Sequence, residues 1–229
     1  MPRPLRRLAR MNRDAVSGLL LIVGGVAVIV LMGLHPTGHG LMNEETFTRT
    51  ALLNMLVHAV AIAATPVLFL GLLGAARRLG NSDLAIAALV AFGFGGVAVV
   101  EAALASGFIF PGVIQRIESA QGSDVPHAFL VYTGLWNQAH AKVQVVAWSI
   151  GTLLLAAAIL RNRSRLPFAA AMGVAGVAFA IVVLFLFLSG HVRMDLHGAR
   201  IIYFAQAGWL AWLGLALSLA GREFPATSQ

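Results

Sequence analysis

Cysteine is missing from all 229 residues, which excludes disulfides, thiolate metal sites and a cysteine nucleophile. Charge is nearly as scarce. Only 11% of residues are charged, and Lys142 is the sole lysine. A soluble domain carries about a quarter charged residues, so little of this chain is built to face water. There is also no Walker sequence, no HExxH or ExxH pair and no GxSxG elbow. FGFGG (92–96) lies inside an apolar run and reads as helix packing, not as a phosphate loop. SGHVRMDLHG (189–198) holds Ser, His and Asp close along the chain, but neighbours in sequence do not make a triad. Whether the chain is an enzyme is left open by these absences.

What the chain does contain is hydrophobic: 59% of residues, with a mean hydropathy of +0.85. Six apolar stretches, at 15–34, 51–75, 84–110, 138–160, 167–189 and 201–220, each reach about the 20 residues a helix needs to cross the hydrocarbon of a bilayer. Backbone polar groups in lipid must pair within their own segment, and nothing here alternates like a barrel strand. The expectation is an all-α integral membrane six-helix bundle over 15–220, flanked by a basic segment (1–14) and a short tail (221–229). Its primary partner is the lipid bilayer.

The arginines set an orientation. Arg3, Arg6, Arg7, Arg10 and Arg13 precede the first span, Arg77 and Arg78 follow the second, Arg161, Arg163 and Arg165 follow the fourth, and Arg222 follows the sixth. Arg49, Arg116, Arg193, Arg200 and Lys142 fall on the other side. The positive-inside rule then puts both termini in the cytoplasm and the first span in the role of a signal anchor. The net charge of +7 follows from this topology, and no nucleic-acid partner is implied.

LWNQAHAKVQVVAW (135–148) opens an otherwise apolar span with Asn, Gln, His and Lys. At 100° per residue, Asn137, His140 and Gln144 fall within about 60° of one another, and Gln138 and Lys142 form a second strip. Counting from the basic helix ends at 1.5 Å per residue puts His58 roughly 27 Å up the second span, Glu101 roughly 25 Å up the third, and Gln144 and His140 roughly 24 and 30 Å up the fourth. Tyr203 of the sixth shares that height, and Asn54 lies one turn above His58. The expectation is a polar layer in the outer leaflet, with the His- and acid-bearing loops on the same side.

Three segments, GLHP (33–36), LVHAVAIAATPVLFLGLLGAARRLG (56–80) and EAALASGFIFPG (101–112), resemble a broad group of small bacterial multi-pass membrane proteins without an established activity. NQA (137–139) adds weaker support, so the resemblance is concentrated in the first half. It implies a bacterial inner-membrane location and includes positions corresponding to His35, His58, Glu101 and Pro111.

His and Glu from separate helices at one depth suit a divalent metal such as zinc or non-haem iron. The expected ligands are His58, Glu101 and His140, with His35 or His191 as further candidates, and Asn54, Asn137, Gln144, Lys142 and Tyr203 complete the polar pocket. A b-type haem between His58 and either His140 or His191 is an alternative. So is a path for protons or a small solute. A structural or accessory role toward a periplasmic partner or a second copy of the chain is a third reading. An ion pair between Glu101 and Lys142 is the structural explanation for both charges.

Overall fold

The computed structural model describes residues 3–36, 47–119, 125–191 and 196–220, with side chains placed for 13–36, 47–116, 128–191 and 198–220. All regular structure among them is helical. The elements are α1 (Arg3–Leu34), α2 (Phe47–Arg78), α3 (Asp83–Leu104), a π-helical turn (Ala105–Ile109), α4 (Phe110–Ser119), α5 (Val125–Arg161), a 3-10 turn (Arg163–Arg165), α6 (Ala169–Leu188) and α7 (Leu196–Ala220). Among the described residues, six helices are long and apolar enough to cross a membrane. The third span runs on through the π turn into α4, so it is longer than the apolar run at 84–110. The fourth gains three turns ahead of its apolar run, and the polar residues 137–144 sit well inside α5.

In space the helices form a ring: α7 packs on α1, α1 on α2, α2 on α3, α3 on α5 and α5 on α6, with a thinner seam between α6 and α7. Small residues allow the close approaches. A Cβ on Gly18 would strike the carbonyl of Gly214, one on Gly95 would strike the Trp148 ring, and one on Gly176 would lie 2.9 Å from the Trp209 ring. Tight apposition of this kind supplies van der Waals contact where lipid offers no hydrophobic drive between helices. Pro66 sits inside a continuous α2, and Thr65 Oγ1 donates to the Ala61 carbonyl at 3.0 Å.

The end of the bundle bearing Arg77, Arg78 and Arg161–Arg165 is closely tied. RRLGN stops α2 in a Schellman turn, with Gly80 at φ +83° and the amides of Gly80 and Asn81 returning to the carbonyls of Arg77 and Ala76. Arg78 donates to Asp14 at 3.1 Å and to the Arg165 carbonyl at 2.8 Å, and Arg165 donates back to the Arg78 carbonyl at 3.2 Å. One carboxylate and two backbone bonds thus join α1, the α2–α3 turn and the α5–α6 turn. Above this clamp lies the apolar core, built on Leu21, Leu72, Leu79, Leu155, Ile159, Met172, Leu213 and Leu217.

Candidate functional site

Toward the opposite end the core opens into a cavity of about 560 Å³ bounded by α1, α2, α3, α5 and α7. Its polar lining comes from His35, His58, Thr65, Ser106, Asn137, Gln138 and Tyr203, and aliphatic side chains with the Trp148 ring form the rest of the wall.

His58 is held from two sides. Its Nδ1 lies 2.7 Å from the Asn54 carbonyl, and a carbonyl can only accept, so Nδ1 carries the proton. Asn54 in turn donates its amide to the Ser106 carbonyl at 2.7 Å. That carbonyl belongs to the π turn, whose Gly107 lies against the His58 side chain and leaves no room for a Cβ. Single π-helical turns inside α-helices recur at functional sites because they re-aim backbone groups. Here the turn accepts the Asn54 bond and makes space for an imidazole.

His35, just beyond the end of α1, is fixed in the same manner: its Nδ1 donates to the Pro36 carbonyl at 2.9 Å. The two rings meet edge to face, with centroids 4.9 Å apart and planes at 73°. With both Nδ1 positions protonated and bonded to backbone, each neutral ring keeps its Nε2 lone pair as an acceptor. Arg200, at the start of α7, donates to the carbonyls of Met32 and His35 at 2.9 and 3.3 Å. It caps the end of α1 with a cation, where the helix dipole favours one. Burial lowers the His35 pKa; the Pro36 bond opposes that shift and the Arg200 charge adds to it.

The other wall is set by α5 and α7. Tyr203 donates to Gln144, and Gln206 donates to Thr152 at 2.7 Å. Interhelical side-chain bonds of this kind contribute about 0.6–2 kcal/mol each in a membrane, and these two join α5 to α7 across the ring.

Of the residues singled out from sequence, the cavity contains His35, His58, Asn137 and Tyr203 on its wall, with Asn54 and Gln144 buried directly behind them. The expected ligand set His58, Glu101 and His140 is not gathered, and among the described residues no three His, Asp or Glu side chains form a group able to hold a metal. Glu101 falls in the stripe Val90, Phe94, Val97, Leu104 and Phe108, the outward face of its helix, whereas Val99, Ala102, Ala103 and Ser106 face the cavity. His140 rests on its own helix: its ring lies 4.7 Å from Trp136, and its Nδ1 donates to the Trp136 carbonyl at 3.0 Å. His191 pairs with Ser189 at 2.7 Å in the turn after α6. Neither therefore supplies a second axial ligand opposite His58 for a haem. Lys142 is exposed and forms no ion pair with Glu101, because α5 presents it on the α6 side, away from α3. His39, Glu44, Glu45, Asp124 and Asp195 lie outside the described residues, as do the side chains of Glu118, His127 and His197.

Sequence reasoning missed the π turn, Arg200 and Ser106. Gly107 offered the one signal, a glycine at the level of His58 in the facing helix.

No protein-family model matches the chain, and comparisons with curated proteins and with solved structures return no match.

Proposed function

We propose that this chain is a bacterial inner-membrane protein with both termini cytoplasmic, and that its outward-half cavity is a ligand-binding site. The arginine asymmetry supports the orientation. The observation that supports the site is the His35–His58 pair. Two imidazoles share one cavity wall, each with Nδ1 bonded to backbone and Nε2 left as an acceptor. A ligand that donates hydrogen bonds, through a hydroxyl or an N–H, matches these acceptors. Asn137 adds an amide of either sense, and the apolar walls hold an apolar body. Pockets of a few hundred Å³ with mostly apolar walls and a few convergent polar groups are the usual form of a small-molecule site.

The same Nδ1-to-carbonyl arrangement orients metal-ligating histidines, which favours a divalent ion as the second reading, with His35 and His58 as its ligands. Extraction and mass spectrometry of the detergent-purified protein, with metal analysis of the same sample, test both. A small molecule retained by the wild type and lost from the His35→Ala, His58→Ala double variant supports the binding site. Metal near one equivalent, lost in the same variant, selects the second reading. Identical extracts and no metal in either protein would overturn the assignment.

A further inference from the structure

The central cavity has an apolar neighbour that opens between α2 and α3. This second space, about 360 Å³, is lined by Pro66, Phe69, Gly93, Val97 and Val100, among others, and shares Thr65, Leu68 and Trp148 with the central cavity. Two glycines create it. A Cβ on Gly93 would lie 3.3 Å from the Phe69 ring, and one on Gly96 would lie 3.1 Å from Thr65 Cγ2. Its mouth lies on the outside of the bundle, since Val97 is 62% exposed and Phe69 36% exposed. On a chain that spans a bilayer, that outside is lipid. Trp148, at its back, donates its Nε1–H to the Phe92 carbonyl at 3.2 Å.

The geometry points to an amphiphile that reaches the site sideways from the bilayer, its hydrogen-bond-donating head at His35 and His58 and its chain in the Pro66–Val97 crevice. This rests on the cavity being a binding site and names the class of ligand. From His58 to Phe69 along α2 is roughly 16 Å, so head site and crevice together accept an extended alkyl chain of about that length. The polar groups lie at one end of this path and the apolar crevice at the other, the order a hydroxyl-headed amphiphile requires. A phospholipid acyl chain would fill the crevice alone and make no use of the two histidine acceptors. A water-borne solute would have no need of a lipid-facing mouth.

The test uses the full-length protein in phosphatidylcholine vesicles and dodecanol carrying a mid-chain diazirine. After photolysis, labelled residues are mapped by mass spectrometry. The expected result is saturable labelling around Thr65, Pro66 and Val100, the level a mid-chain group reaches. Unlabelled dodecanol should displace it, and dodecyl methyl ether, which cannot donate, should compete about tenfold less well, the loss of one hydrogen bond. Val97→Trp, a change on the lipid-facing surface that leaves the core intact, should abolish crevice labelling. Labelling that never saturates and stays on Val90 and Phe94, or that Val97→Trp leaves unchanged, would overturn lateral access. Phenol separates this failure from that of the binding site. If it shifts the Nε2 resonances of His35 and His58 in ¹⁵N-histidine spectra while the crevice stays unlabelled, the cavity binds ligands but is not reached from the bilayer. If phenol moves neither ring and dodecanol labels nothing saturably, both assignments fall.

Discussion

The two halves of this bundle are built differently. The half at the arginine-rich end is closely packed: Leu21, Met172, Leu213 and Leu217 are wholly buried there, and Asp14, Arg78 and Arg165 tie the turns beneath them. The half at the other end holds smaller apolar clusters around a cavity, and its helices are joined by Asn54, Gln144, Tyr203 and Arg200 through individual polar bonds. One half resembles a scaffold and the other a site. Buried polar groups and open space weaken packing, and the sealed half offsets that loss.

If this division holds, the largest effect of a single substitution falls in the sealed half. Leu213→Ala leaves a cavity among fully buried neighbours and should lower stability by about 2–5 kcal/mol, read as a shift in the unfolding midpoint in mixed micelles. A loss under 1 kcal/mol, within the range of ordinary surface changes, would show that the sealed half is not the scaffold.

Gly107→Ala is the sharpest probe of the open half. The added methyl meets the His58 side chain, so the π turn or the imidazole must move, at about 1–3 kcal/mol. The expected signature is displaced His58 resonances in ¹⁵N-histidine spectra with the signals of the arginine clamp unchanged. Matching disturbance at both ends would show that the halves are not separable.

Acid provides a gentler contrast. Burial lowers the His35 pKa, so the unfolded chain takes up that proton more readily than the folded one. Its contribution to stability is complete above the ordinary histidine value of about 6.5 and is lost as pH falls from there toward the lowered folded value. His35→Gln should flatten the slope of unfolding free energy against pH in that window. An unchanged slope would remove His35 as its source. His58 and Arg200 face the same ring, so the variant-to-wild-type difference, not the absolute slope, is the measurement.

The smallest effect is expected at Glu101. Because it lies on the outward stripe and makes no pair with Lys142, Glu101→Gln and Lys142→Met should each change stability by about 0.5 kcal/mol or less and should add independently. Rescue of one by the other would restore the ion pair that the geometry excludes.

The sequence by itself determined much of this: six helices long and apolar enough to cross a membrane from six apolar runs, the grouping of arginines at one end, and the height of His58, Asn54, Asn137, Gln144 and Tyr203 in one layer. Height is legible because a helix rises 1.5 Å per residue whatever surrounds it. Azimuth is not. Glu101 shares the level of His58 yet lies half-buried on the outward stripe of its helix, His140 turns onto Trp136, and His35 reaches the site from just beyond the end of α1, which counting along apolar runs could not place. Which face of a helix is interior depends on where its neighbours pack, and in uniformly apolar membrane helices the hydrophobic pattern marks no inner face. Contacts such as Gly95 on Trp148, Gly176 on Trp209 and Gly107 on His58 set those rotations. They form only when the ring of helices closes, so the tertiary structure alone decided which polar groups at a common depth meet.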